Sequence, residues 1–501
     1  MSKIQFNIGQ GGLGRPLQGK DYYSGFLFDS AVYPSGMDAS NNIKLLGSLK
    51  DAENLGIVND GTGETVATGG AIQITAVGTA GDTYSVDIKS TRNPSINLCE
   101  VIQGAAETVN SLASRIADAI NLKTKDHGFT ASAATDTVSL VMAPNWGAAF
   151  NTAGLSFTPS GTGTATVTQF DSGVGSDLSL MHYHISEFFR MQPKGLLWFG
   201  IFDESGGLDS THIEDIVNFA DGEVRQIAVF LKTSWQTSDM GLIQAAITTL
   251  QSQYKWLNGI YAADQLGDTL STLTNLRALA YDRVSACIGQ DGGLEGYRLV
   301  DVLGISVSCI GAMLGTIALA SVHEDIGWPN KFNIAGGELD TLSFTTGDLY
   351  KSISVNTIDL LDNRAYIFGR KYVGKGGSFF NDSPTAVSIT SDYAFIENGR
   401  TIDKAMRGMN ASLTGFLNSP LYVDANTGQL TELTISIFKN AAGATPEQMT
   451  IDGELSGYEI IIDPTQNVLA TSELVIAAKL VPVGVAREII VNIGYTVSLQ
   501  S

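Results

Sequence analysis

From Ile489 onward the chain reads IIVNIGYTVSLQS. Ile489, Val491, Ile493, Tyr495, Val497 and Leu499 fall on one side, and Asn492, Thr496, Ser498 and Gln500 on the other. A period of two predicts a strand with one buried face. The opposite end has the same texture. Ile4, Phe6 and Ile8 alternate with Lys3, Gln5 and Asn7, and Gly9, Gly11, Gly12 and Gly14 follow as a hinge. Termini fray unless something ties them down. Burying an apolar side chain is worth roughly 1.5–3 kcal/mol before entropy is counted, so each strand needs a sheet to join. That sheet belongs to the same molecule or, by strand addition, to a neighbour.

Between these ends the pattern changes twice. Residues 1–60 supply the N-terminal arm and then turn-rich segments around Pro34 and Gly36. Residues 61–172 are rich in Ala, Thr, Gly and Ser. They predict strands at Ala71–Val77, Thr83–Lys89, Thr137–Met142 and Ala165–Phe170, and a helix over Glu107–Asn121. Gly, Ser and Thr punctuation at both ends marks this region as a β-rich insertion. Continuous apolar runs then alternate with helical ones. Strands are expected at Leu196–Phe202, Ile227–Leu231, Gly259–Ala263 and Val284–Ile288. Helices are expected at Ile213–Phe219, Met240–Leu257 and Leu270–Leu279, with one long buried helix over Leu299–Val322. Strands that are apolar throughout imply a largely parallel sheet covered on both faces. Beyond about residue 340 the texture becomes α+β. Helices are expected at Asp348–Asn356 and Thr401–Leu417. Strand-like segments are Ala365–Phe368, Ala386–Ile389, Leu433–Phe438, Tyr458–Ile462 and Glu473–Leu480.

Composition narrows the class. A chain of 501 residues with 55 glycines and ordinary apolar content is globular, loop-rich and multi-domain. A formal net charge of −21, with no Lys/Arg cluster to offset it, argues against direct binding to nucleic acid. Cys99, Cys287 and Cys309 are far apart, which fits a reducing compartment and no disulfide framework. The N-terminal residues lack the apolar stretch of a secretory signal. Leu299–Val322 has a membrane-like length and a Gly311-x-x-x-Gly315 spacing. His323, Glu324 and Asp325 follow it in place of Lys or Arg, which favours a helix buried in a water-soluble protein.

Candidate chemistry is sparse. Gly9, Gly11 and Gly14 have dinucleotide-loop spacing, but no helix start follows them. Gly369, Gly374 and Lys375 have phosphate-loop spacing, but Gly376 stands where a Mg²⁺-holding hydroxyl belongs, so a tight turn is expected. His182 and His184 form the only close histidine pair, too few for a metal site. No motif makes a positive case for catalysis, a cofactor or a metal. Asp203, Glu204, Lys232, Asp264 and Asp291 lie near expected strand ends, where an α/β enzyme would place its site. Arg400, Lys404 and Arg407 share one helix face, either as a solvated face pairing with Glu397 and Asp403 or as a docking surface.

Several stretches resemble contractile tail sheath proteins of bacteriophages and related injection particles. They are Gly311 to Trp328 (GAMLGTIALASVHEDIGW), Gly376 to Ala386 (GGSFFNDSPTA), Ser391 to Met406 (SDYAFIENGRTIDKAM), Ile462 to Leu474 (IDPTQNVLATSEL) and Lys479 to Arg487 (KLVPVGVAR). The likeness covers roughly residues 1–60 and 180–501. It implies a multi-domain sheath-like fold, α/β plus α+β. An N-terminal β-arm and hinge (1–20) precede an α/β sheath domain (21–60 and 173–340). An inserted β-rich outer domain (61–172), a C-terminal tube-facing α+β domain (341–487) and a C-terminal β-arm (488–501) complete it. The resemblance further implies a structural, non-enzymatic subunit that polymerises helically around an inner tail tube. Neighbours share strands, and contraction releases energy held in the extended lattice. Its partners would be copies of itself, the tube protein, and baseplate and tail terminator proteins, in a virion tail assembled in the host cytoplasm. Arg400, Lys404 and Arg407 would face the tube. The rival readings are a non-contractile tube or capsid component and an α/β enzyme with an accessory β domain.

Overall fold

The computed structural model describes residues 20–495. The expected N-terminal strand (Ile4, Phe6, Ile8) and hinge (Gly9, Gly11, Gly12, Gly14) lie outside the described residues, as do Val497 and Leu499. The chain divides into two compact units. One holds residues up to 319 together with 326–396, and the other holds 320–325 together with the residues from 397 onward.

The first unit is built on a seven-stranded sheet. Its order is Tyr366–Ile367, Val284–Cys287, Asn258–Asp264, Gln226–Ser234, Tyr23–Asp29, Leu196–Phe202 and Ile43–Leu46. Neighbours are parallel except Ile43–Leu46, which runs antiparallel to Leu196–Phe202. The inner strands are apolar on both faces because helices cover both. Leu27 joins the cluster formed by Ile213 and Ile216 of helix Thr211–Phe219 and by Ile243 and Ile247 of helix Thr237–Ser252. Phe26 and Phe28 point the other way, onto His184 of helix Asp177–Met191.

Helix Ile310–Leu319 lies against Asp177–Met191, and glycine makes the close approach possible. A Cβ built on Gly311 would sit 2.3 Å from the His184 carbonyl oxygen, and one on Gly315 would sit 2.6 Å from that of Phe188. The Gly-x-x-x-Gly spacing thus brings two helices together inside a protein unit. No helix among the described residues is long and apolar enough to cross a membrane.

Residues 61–172 lie within the first unit and carry their own core. It joins Ile72, Tyr84, Val86, Leu98, Ile116 and Phe170, among others. Two antiparallel sheets build it. One runs Thr130–Ala134, Thr137–Val141, Ala71–Ala76, Thr164–Thr168, and the other Ile96–Ile102, Thr83–Ile88, Leu155–Pro159. Helix Val109–Leu122 packs on them, opened by a capping box between Thr108 and Ser111. The chain enters and leaves side by side, with Thr65 N–H donating to the Val174 carbonyl and Val174 N–H to that of Thr65, each at 2.9 Å.

Several expected elements are corrected. Leu299–Val322 is two helices, Leu294–Leu303 and Ile310–Leu319. The first stops at Gly304, whose φ of +71° is left-handed. Leu270–Leu279 forms two short 3₁₀ turns, Leu270–Thr272 and Leu276–Ala278. The helix expected at Asp348–Asn356 begins later and spans Val355–Asn363, capped by Ser354. Leu433–Phe438 is part of helix Glu432–Ile451, because Thr431 caps a helix there. Residues 21–60 are more than turns, since Tyr23–Asp29 is the fifth strand of the sheet in the order above. The α/β unit runs on to residue 396 because Tyr366–Ile367 is an edge strand of its sheet.

The second unit holds helix Glu432–Ile451, nearly all of helix Ile396–Thr414, and a hairpin of Leu455–Ile461 with Ala477–Pro482. Val322, Ala405, Met449 and Leu455 form one apolar cluster, and Leu430, Phe438, Ile462 and Val468 another.

Candidate functional site

The carboxyl ends of the parallel strands are where an α/β fold places a catalytic site. Here the acids at those ends bind loop backbone. Asp29 is buried and accepts from the N–H of Glu204 and of Lys232, each at 2.9 Å. Asp264 accepts from the N–H of Leu266 and Ser306, at 3.0 and 2.8 Å. Asp291 accepts from the N–H of Gly293, Gly296 and Leu339. Burial pushes its carboxyl up, and those three donors act against the shift. Exposed Asp203 accepts from Ser205 N–H at 3.1 Å. Lys232 Nζ lies 2.6 Å from Asp177 Oδ2. Glu204 is buried, which raises its pKa. It accepts from Asp209 N–H at 2.8 Å and sits 2.6 Å from Nδ1 of His212, whose ring stacks on Phe202. Carboxylates saturated by backbone donors tie loops to strand ends.

The two phosphate-like motifs part company. Gly9, Gly11 and Gly14 lie outside the described residues. Gly369–Lys375 belongs to a hairpin in which Gly369–Arg370 pairs with Phe379–Phe380, and Lys375 Nζ reaches Asn330 Oδ1 at 2.7 Å. No helix starts there to receive a phosphate. His182 and His184 do not converge: His182 approaches Glu53 at 3.6 Å, while His184 is buried among aromatic rings. Among the described residues no three metal-ligating side chains gather.

The second unit holds the other candidates. Arg400 is buried and donates to the carbonyls of Ala320 and Ser321 at 3.1 and 3.2 Å. Lys404 pairs with Glu454 at 2.7 Å. Arg407 is partly exposed on the same helix. The first two cations therefore hold the unit's own interior together.

Hairpin Leu455–Ile461/Ala477–Pro482 has no third strand among the described residues. A two-stranded hairpin alone is marginal, and its edges offer unpaired N–H and C=O groups. After Pro482 the chain forms no helix or strand as far as Tyr495. Ile489, Val491 and Ile493 of the alternating run are 79, 74 and 95% exposed, and Tyr495 is exposed as well. A run of bare apolar side chains and a two-stranded sheet thus occur in one unit.

A family model described as DUF2586, N-terminal domain, matches residues 1–384, and one described as DUF2586, C-terminal domain, matches residues 392–500. The chain belongs to the DUF2586 family. The boundary between the two DUF2586 domain models falls close to the division between the compact units at residues 396 and 397. Among curated proteins none matches this DUF2586 chain. It is similar to a chain of the anti-feeding prophage baseplate, with 15% identity over 66% of this chain and 84% of that one and a TM-score of 0.44. It is also similar to a chain of the contracted PVC sheath complex of an extracellular contractile injection system, at 14% identity, 63% and 80% coverage and a TM-score of 0.43. A third is the sheath tail protein from Desulfitobacterium hafniense, at 10% identity, 96% and 100% coverage and a TM-score of 0.37. These overlaps are loose, and none sets the fold of the DUF2586 chain by itself.

Sequence reasoning missed the hairpin's open edges and the internal use of Arg400 in this DUF2586 chain. Tyr458–Ile462 signals a strand, yet nothing local says how many strands its sheet has. Arg400 follows an acid and a glycine in a polar stretch, with no local sign of the carbonyls it binds.

Proposed function

We propose that this chain is a structural subunit of a contractile sheath, which polymerises helically around an inner tube by donating terminal strands to neighbouring copies. The observation that carries it is a two-stranded hairpin in the same unit as an exposed, alternating apolar segment that, up to Tyr495, forms no strand pairing among the described residues. One copy's segment supplies what another copy's hairpin lacks. Each added backbone hydrogen bond contributes about 0.5–1.5 kcal/mol net, so one strand is modest and a lattice of them is strong. The residues of sheath-like character from Gly311 to Arg487 support the same reading, as does the use of the strand-end acids as loop anchors. In this reading residues 61–172 are an outer domain. The N-terminal arm and its glycines keep subunits linked while their bodies rotate, and the extended lattice stores the energy that contraction releases. The partners are other copies, a tube protein, and the baseplate and terminator that end the lattice, in a particle built in a bacterial cytoplasm.

Negative-stain microscopy of the purified chain tests this. The full chain should form long hollow cylinders. A chain lacking 489–501 should stay soluble and discrete. Normal cylinders from the truncated chain would overturn strand donation, and a full chain that remains small and discrete would overturn the assembly itself.

A further inference from the structure

The exposed segment has a fixed root. Between Pro482 and Tyr495 the backbone forms no helix or strand, yet Arg487 reaches into the second unit. Its Nη2 donates to Oε1 of Glu397 and lies 3.3 Å from Oδ2 of Asp325. Both acids are withdrawn from water, Glu397 being 2% and Asp325 9% exposed. Glu397 stands in the first turn of helix Ile396–Thr414, where the helix dipole favours an anion. Asp325 ends segment 320–325, which Arg400 clamps through the carbonyls of Ala320 and Ser321. Val322 of that segment packs with Ala405 and Met449. Both acceptors are therefore held by packed structure.

We propose that Arg487 is the latch of the C-terminal arm: by bridging Glu397 and Asp325 it sets where the arm leaves the body and passes load on the arm into helix Ile396–Thr414. The load-bearing role rests on the function proposed above, whereas the latch is a property of the single chain. Two desolvated carboxylates close to one nitrogen call for a cation, and removing it takes away charge compensation where water supplies little. A guanidinium serves both through a rigid fork of donors, whereas a lysine ammonium is a compact, strongly hydrated point charge. The latch also shortens the tether. From Arg487 to Tyr495 the arm spans about 26 Å when extended, at about 3.3 Å per residue. Freed back to Pro482 it spans about 43 Å on the same rise. Effective concentration falls with roughly the −3/2 power of tether length, so release lowers it about two-fold.

The test places a nitroxide on Glu488→Cys. Cys99, Cys287 and Cys309 are buried, so the label goes to the introduced thiol. At concentrations too low for assembly, the parent spectrum should show restricted motion. Arg487→Gln should show fast motion, and Arg487→Lys should fall between the two. Arg487→Gln combined with Glu397→Gln removes both charges of the closer pair, so it separates loss of the latch from misfolding and should also show fast motion. In unlabelled chains, Arg487→Gln should raise the critical concentration for cylinders at least about two-fold, the tether effect alone. Identical spectra for parent and Arg487→Gln, or an unchanged critical concentration, would overturn the proposal. A parent that forms no cylinders overturns the sheath reading instead, while the spectra still decide the latch.

Discussion

His184 carries two ring nitrogens into a cluster of aromatic rings, where neither finds a partner among the described residues. Desolvation of the charged form pushes its pKa from the usual 6.5 down to about 3. The sign follows from linkage. A depressed pKa gives stability that is complete above the unfolded value and is lost as pH falls toward the folded one. Between pH 7.5 and pH 5 this residue alone should cost about 2 kcal/mol. His184→Leu should therefore lose about 2 kcal/mol less than the parent over that interval, read from denaturant midpoints at each pH. Equal losses in both chains would show that the imidazole does not titrate as a buried group. Buried acids behave differently here. Burial pushes Glu204 and Asp291 up rather than down, and each accepts backbone donors that favour its charged form.

At the scale of elements, the contact between helices Asp177–Met191 and Ile310–Leu319 depends on missing side chains. A Cβ on Gly311 meets the carbonyl oxygen of His184 at 2.3 Å and its Cα at 2.8 Å, and backbone atoms cannot swing aside. Gly311→Ala should cost about 1–3 kcal/mol through overpacking. Gly415→Ala, where nothing lies within 4 Å, is the control and should leave the melting temperature nearly unchanged. Equal melting temperatures for the two variants would mean that the helices part easily. The apolar run from Leu299 to Val322 was legible as buried, yet its division at Gly304 was not, because one glycine inside an apolar run is compatible with either a kink or a stop. Thr130–Ala134 was missed because its residues, TASAA, hold no alternation between large apolar and polar side chains.

For the whole molecule, the deciding feature is that Tyr23–Asp29 sits between Leu196–Phe202 and Gln226–Ser234. Residues 61–172 interrupt the chain between the first strands and the rest of the sheet, and they do so with their own core and with ends held together at Thr65 and Val174. Replacing 62–171 with a short Gly-Ser bridge should leave a folded, assembling chain. Removal also strips Arg92 from Asp301, whose side chain is buried and pairs with it at 2.8 Å. A melting temperature of the deletion chain raised by a few degrees on adding Asp301→Asn would show that this carboxylate stays buried without its partner, and an unchanged one that the deletion opens it to water. An unfolded deletion product in circular dichroism, with or without Asp301→Asn, would show that the region is part of the main core.

The amino-acid sequence by itself determined the type of most long elements. It placed the apolar strands at Leu196–Phe202 and Gly259–Ala263, a helix at Glu107–Asn121, the texture of the insertion and the alternating apolar run that begins at Ile489. Periodicity encodes which face of an element avoids water, and that is local information. Only the tertiary structure decided what each face meets. It set Tyr23–Asp29 inside the sheet, drew residues 326–396 into the first unit, buried Arg400 against two carbonyls and brought Arg487 to Glu397 and Asp325. Those outcomes depend on desolvation and on partners distant in the chain, and no pattern of neighbouring residues carries them.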